Sequence, residues 1–185
     1  EQGFAATSVD AIVTGAGVTK GAFFHHFGTK TDLAHALVER WAALDEAHLA
    51  ENMERAERLS RDPLQQLLLF VGLFEESMAS LSEPYPGCLL ASTVHEAELF
   101  DASTHERIRA SVLAWRARVR GKLEAVVAEG SPRLEVDLDV VADQLWSTFE
   151  GAFILSRTMQ SPGAVAGQLR QYRNYLELLF GDAGG

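Results

Sequence analysis

The chain has 185 residues, of which 47% are apolar, and a formal net charge of −10. That is enough apolar matter for one sizeable core or for a small module joined to a larger one. The acidic balance excludes a protein that coats nucleic acid by bulk positive charge, because phosphate affinity comes from counterions displaced by Lys and Arg.

No apolar run approaches the roughly 20 residues a membrane span needs; the strongest, Leu67 to Phe74, ends at Glu75 and Glu76 and reads as a buried helix. A single cysteine, Cys88, cannot form an internal disulfide, and no signal-peptide pattern is present. Both features fit a reducing cytoplasm and no membrane partner.

Helical spacing dominates and no run of alternating β-branched residues argues a strand, so the expected fold is all-α. Thr7 is placed to cap a first short helix, its hydroxyl accepting the amide of Asp10, with Val9, Ile12 and Val13 on the apolar face. Gly17 is expected to take the positive φ of a tight turn, with Val18 plugging the space between the flanking helices. Thr19 caps a second short helix that carries Phe23 and Phe24 and ends near His26 and Phe27, with Gly28 as a left-handed terminator. Thr29 and Asp32 repeat the capping spacing before a long connector helix running toward the high fifties. Leu33, Leu37, Trp41, Leu44 and His48 form the expected stripe of that helix.

Asp62 and Pro63 restart the chain as cap and first helical residue of a central helix. The segment "SEPYPG" breaks it, and Cys88 to about Phe100 are expected to form a further helix. Ile108, Val112, Trp115, Val119, Leu123 and Val126 stripe a longer helix that stops at Gly130. Two amphipathic helices, about Asp139 to Gln160 and Pro162 to Phe180, finish the chain with Val141, Leu145, Phe149, Phe153 and then Val165, Leu169, Tyr172, Leu176. The expected division is residues 1–47 for the first domain and 48–185 for the second.

Two short helices joined by a Gly-containing turn form a helix-turn-helix. The second must enter a major groove about 12 Å wide, so its first residues have to let the backbone approach base edges. Thr19, Lys20, Gly21 and Ala22 suit that task, while Phe23 and Phe27 pack inward against Ile12 and Val18. Phe24, His25 and His26 are expected along the sugar-phosphate wall, with Thr7 and Ser8 at the start of the preceding helix. Lys30 lies in the first turn of the connector, where unpaired amides and the dipole favour a phosphate.

The stretch "TSVDAIVTGAGVTKGAFFHHFGTKTDL", Thr7 to Leu33, resembles the DNA-binding core of TetR-type transcriptional repressors. The family pattern is met by Thr7, Ile12, Ala16-Gly17-Val18, Thr19-x-Gly21, Phe24-x-His26-Phe27 and Lys30, although Phe24 stands where the family usually has Tyr. The resemblance implies a further, basic helix before Gly3. It also implies a bundle that binds a small effector and dimerises through its last two helices.

On that reading the partners are double-stranded palindromic operator DNA, a small apolar or aromatic effector, and a second copy of the chain. The expected effector contacts are Phe70, Phe74, Met78, Cys88, Trp115, Phe149 and Phe153. The expected dimer contacts are Leu145, Phe149, Ala152, Leu169, Tyr172 and Leu176. "YPGCLLASTVHE", Tyr85 to Glu96, resembles one branch of the family in which a Gly-Cys pair opens a helix beside the cavity. Cys88 is then either a small buried hydrophobe, the commoner case, or a thiolate-prone sensor.

His95, Glu96, Glu98, Asp101 and His105 lack a metal-ligand spacing and read as a solvated cluster. The arginines from Arg107 to Arg120 read as ion pairs with Glu96, Glu98, Asp101 and Glu106. No nucleophile-base order or phosphate loop is visible, so neither a cofactor nor catalysis is expected. The alternative class is a helical-bundle carrier or enzyme that uses an apolar cavity without binding DNA.

Overall fold

The computed structural model describes residues 3–89, 98 and 100–181, and the described residues contain no strand. Eight helices are described in full: α1 (Gly3–Ala6), α2 (Val9–Ala16), α3 (Lys20–His26), α4 (Lys30–Leu59), α5 (Pro63–Ala79), α6 (Ala102–Glu129), α7 (Leu138–Thr158) and α8 (Ala164–Phe180). The helix expected from Cys88 to Phe100 falls largely outside the described residues.

Contacts divide the chain into two compact units. One holds the described residues up to Asp45 together with those of Cys88–Ser111, and the other those of Glu46–Gly87 and Val112–Gly185. The described residues of Cys88–Ser111 thus group with the amino-terminal helices.

In the second unit, α8 packs against both α5 and α7. Leu67, Phe70, Val71, Leu123, Leu145, Leu169 and Leu176 are sealed from solvent at its centre. The expected stripes of α7 and α8 face this core, as do Trp115, Val119 and Leu123 of the α6 stripe, whereas Ile108 is buried but belongs to the first unit. Asp62 caps α5 through the Gln65 amide at 2.8 Å with Pro63 in the first turn, a position where a missing N–H costs nothing. Tyr172 is buried and donates to the Val141 carbonyl at 2.8 Å, joining α8 to α7; burial pushes its phenol above the ordinary range. Glu75 on α5 is almost covered and meets Arg170 at 2.7 Å and Arg173 at 3.1 Å, a second tie to α8.

The connector α4 corrects the sequence reading. Its buried positions are Ala34, Val38, Ala42, Leu49, Met53 and Ala56, whereas Leu37 and Leu44 are exposed. Side-chain size does not mark the inward face: the buried stripe of its first half is made of the small residues Ala34, Val38 and Ala42, which allow a helix to approach its neighbours closely.

Arg107, Arg109, Arg116 and Arg120 of α6 are ion-paired, but mostly with other partners than expected. Arg107 meets Glu39 at 3.0 Å, Arg120 meets Glu124 at 3.0 Å and Asp139 at 2.9 Å, and among the described residues Arg109 keeps an expected partner, Glu106, at 3.3 Å. Arg116 grips Asp143 with two donors.

Candidate nucleic-acid interface

Local hydrogen bonds set the ends of the short helices in the first unit. Ser8, not Thr7, caps α2: its hydroxyl accepts the Ala11 amide at 3.1 Å. Thr7 instead turns its carbonyl toward Lys30. Gly17 takes φ 66° as expected; its amide donates to Thr14 and that of Val18 to Val13, the paired bonds of a Schellman terminus. Val18 is exposed and does not plug the helix pair; the buried residue is Val13.

Thr19 caps α3 through the Ala22 amide at 3.1 Å. Phe23 is the buried anchor of the helix, with the rings of Phe24 at 5.1 Å and Phe27 at 5.7 Å. Gly28 is not left-handed: the chain leaves α3 through Phe27 in extended conformation. Its lack of a side chain matters for another reason, because a Cβ there would lie 3.1 Å from Asp32 Oδ2. That carboxylate accepts the Thr29 amide at 2.9 Å while the Thr29 hydroxyl accepts the Asp32 amide at 3.1 Å, a reciprocal capping box at the head of α4.

These constraints leave Thr19, Lys20, Gly21 and Ala22 exposed together at the start of α3, with Phe24, His25 and His26 exposed further along it. A Cβ on Gly21 would meet nothing nearer than the Thr19 hydroxyl at 3.8 Å, so the fold itself does not need a glycine there. The smallness of this position is available for something outside the protein.

The two lysines are both engaged. Lys20 Nζ lies 2.8 Å from Asp10 Oδ1 and 2.9 Å from Oδ2. Lys30 was expected to wait for a phosphate, yet its ammonium donates to the carbonyls of Phe4 at 2.8 Å and Thr7 at 2.9 Å, with Ala5 at 3.4 Å, and lies 4.3 Å from the Phe4 ring centroid. Carbonyls at a helix end have no intrahelical donors, and here a cation supplies them. Lys30 therefore ties α1 to α4, a role that sequence spacing could not reveal because the partners are backbone atoms 23 to 26 residues away.

The expected effector residues of the second unit do come together. Phe74 lies 5.3 Å from Phe70, 5.6 Å from Trp115 and 5.4 Å from Phe149, and Phe149 continues to Phe153 at 5.9 Å. Met78 is partly buried against the same core. The structure adds Tyr85, stacked on Phe153 at 4.7 Å, and Trp146, edge-on to Trp115 at 5.7 Å, neither of which carried a sequence signal. Cys88 is half-buried, stands next to the helical Leu89, and groups with the first unit; the rest of the helix expected to open there lies outside the described residues.

The expected dimer contacts are corrected. Leu145, Phe149, Ala152, Leu169, Tyr172 and Leu176 all point into the protomer's own core, at 0 to 8% exposure. Amphipathicity marked the side of α7 and α8 that faces inward. Outward along α7 run Val140, Gln144, Ser147, Gly151, Ile154 and Thr158, all exposed and uncharged at alternating four- and three-residue steps. Val140 and Ile154 are 63% and 62% exposed, and Leu178 on α8 is 68% exposed. Of the solvated acidic cluster, His95 and Glu96 lie outside the described residues. Asp101 caps α6, where the Thr104 amide and the Ser103 hydroxyl hold its carboxyl down at about 2.

The chain is similar to known proteins along most of its length. Residues 1–37 match the family described as "Bacterial regulatory proteins, tetR family", and residues 63–172 match "Tetracyclin repressor-like, C-terminal domain". The transcriptional regulator AcuR of Cereibacter sphaeroides is 28% identical over 167 residues, covering 88% of this chain and 72% of that protein. The "Probable acrEF/envCD operon repressor" of Escherichia coli K12 is 30% identical over 157 residues, 82% of this chain and 67% of that one. Among solved structures, a TetR-family regulator from Agrobacterium tumefaciens superposes with a TM-score of 0.77 at 25% identity, over 96% of this chain and 89% of its own. A regulatory protein TetR from Rhodobacter sphaeroides gives 0.73 at 26% identity, over 95% and 90%.

Proposed function

The chain belongs to the tetR family of bacterial transcriptional regulators, which bind operator DNA as homodimers and are not enzymes, and we propose that it is a repressor released from a palindromic operator by a small effector. The single observation that carries this reading is the exposure of Thr19 to Ala22 at the head of a helix otherwise fixed by caps and one buried phenylalanine. Their backbone can approach base edges, while Ser8, Phe24, His25 and His26 flank them as candidates for the phosphate wall. Two such helices in successive major grooves stand about 34 to 36 Å apart.

The second copy is proposed to dock on the uncharged outward stripe of α7, with Leu178 of α8 beside it. A stripe that leaves Val140 and Ile154 in water is costly for a lone protomer and is removed from water when the same face of a partner covers it. Substituting Ile154→Asp should therefore yield monomers in sedimentation and weaken operator binding, with the helical content unchanged.

The effector is proposed to be small and apolar or aromatic, because Phe74, Trp115, Phe149, Phe153 and Tyr85 gather edge and face contacts in one place. Release requires that it bind the form unable to hold DNA more tightly, and typical coupling is about 1 to 3 kcal/mol. Trp115 and Trp146 give a fluorescence readout of its arrival. A cytoplasmic location follows from the same reading, since operator DNA is there; no described helix is long and apolar enough to cross a membrane.

The deciding experiment is selection from a random-sequence duplex library by the purified protein. Enrichment of a palindrome, together with loss of sequence preference in Gly21→Trp, is the expected result. No enrichment, or a Gly21→Trp protein with unchanged preference, would refute the assignment of α3.

A further inference from the structure

Before Arg40 the sequence has only two residues of fixed positive charge, Lys20 and Lys30. Lys30 is turned to the backbone of α1 and the loop that follows it, as described. Lys20, the first residue of α3, is held by both oxygens of Asp10, from the first turn of α2, and the two side chains are 56% and 72% exposed. An exposed pair of this kind adds little to stability, since water screens it and both side chains lose freedom. Its position is more informative than its strength: it lies on the face that presents Thr19 to Ala22.

We propose that Asp10 is a positioning residue for DNA recognition, which holds Lys20 for discrimination between base sequences instead of for general attraction to phosphate. The inference rests on the assignment of α3 as the reading helix. A free ammonium at the start of that helix could follow any nearby phosphate, and would add affinity for every duplex alike. Paired with both carboxylate oxygens, the same ammonium is directed toward one position and has less net charge to offer the backbone. The carboxylate contributes in addition by repulsion, because registers that bring a phosphate against Asp10 are penalised, and specificity is built as much from such penalties as from attraction. Pairing thus keeps affinity for unrelated DNA below what a free ammonium would give, and sharpens the choice of site.

The test uses the full chain and two probes, the duplex that the wild-type protein selects from a random library and a random-sequence duplex of equal length, titrated over a range of KCl. In Asp10→Asn the ammonium is released. Random-duplex binding should tighten, the plot of log affinity against log salt should steepen by about 0.9 per subunit, and the selected-to-random ratio should fall. The double variant Asp10→Asn with Lys20→Met removes a pair that is neutral as a whole. It should leave the salt slope and random-duplex affinity unchanged while the selected-to-random ratio falls about tenfold, the scale of losing one directed base contact.

Both sites are exposed, so circular dichroism should match the wild type for each variant. A double variant whose slope becomes shallower by about one ion per subunit would show Lys20 to be an ordinary phosphate cation and overturn the proposal. So would a ratio that neither variant alters. A wild-type protein that enriches no duplex overturns the reading of α3 itself, and this inference with it.

Discussion

Of the seven residues of α3 only Phe23 is buried, whereas the seventeen of α8 bury Val165, Ala166, Leu169, Tyr172, Leu176 and Leu179. The first helix is held in place by its neighbours in sequence: the Thr19 cap, the Schellman turn at Gly17, and the capping box at Thr29 and Asp32. The second is held by residues far away, through Tyr172 to Val141 and through Arg170 and Arg173 to Glu75. A surface that must meet another molecule cannot also be buried, so its precision has to come from caps and turns. A bundle helix has no such restriction and is fixed by packing.

The contrast predicts different consequences of similar losses. Phe23→Ala is expected to cost about 3–5 kcal/mol, drawn from the local stability of the first unit. Amide exchange should then become fast in α2 and α3 while α5, α7 and α8 stay protected. Leu169→Ala, at a sealed position of the bundle, should cost about 2–5 kcal/mol and accelerate exchange throughout the second unit. If both variants lost protection uniformly over the whole chain, the two regions would not differ in the way described.

A smaller effect is expected at the turn. Gly17→Ala forces a Cβ into left-handed backbone at roughly 1–2 kcal/mol. Because no atom lies within 4 Å of that Cβ, the penalty is conformational and not steric. Asn at the same place should recover much of the loss, since Asn tolerates this region better than Ala. Operator affinity measured for the three proteins should follow the order Gly, Asn, Ala; equal affinities would remove the turn from the account of how α3 is aimed.

The smallest effect concerns pH. The carboxyl of Asp101 is lowered from 3.8 to about 2, chiefly by the Thr104 amide and then by the Ser103 hydroxyl, with His35 at 3.4 Å contributing. A depressed folded-state value stabilises the protein at pH above the unfolded value and loses that stabilisation as pH falls through the folded one. Wild type and Asp101→Asn should therefore differ by a constant amount above about pH 4 and converge between about pH 4 and 2. Urea midpoints over that range check the sign; a difference that grew on acidification would contradict it.

Much of the architecture was legible in the chain itself, because caps, turns and apolar periodicity act within a few residues. Gly17, Thr19, Asp62 and the stripes of α6, α7 and α8 needed no tertiary knowledge, and the exposure of Thr19 to Ala22 follows from the same local order. Local rules also erred by one step, giving the α2 cap to Thr7 when the adjacent Ser8 supplies it.

What only the tertiary structure decided is which partner each group meets. Lys30 is at the helix start that spacing marked, but the carbonyls that claim its ammonium are placed by the fold. Lys20 finds Asp10 ten residues back, and Tyr85 finds Phe153. The inward stripe of α7 was readable, yet its Leu145 and Phe149 are buried in the protomer's own core, while Val140 and Ile154 stand exposed on the other side. Periodicity tells which side of a helix is apolar; whether that side meets the chain's own core or another molecule depends on what the rest of the fold brings against it.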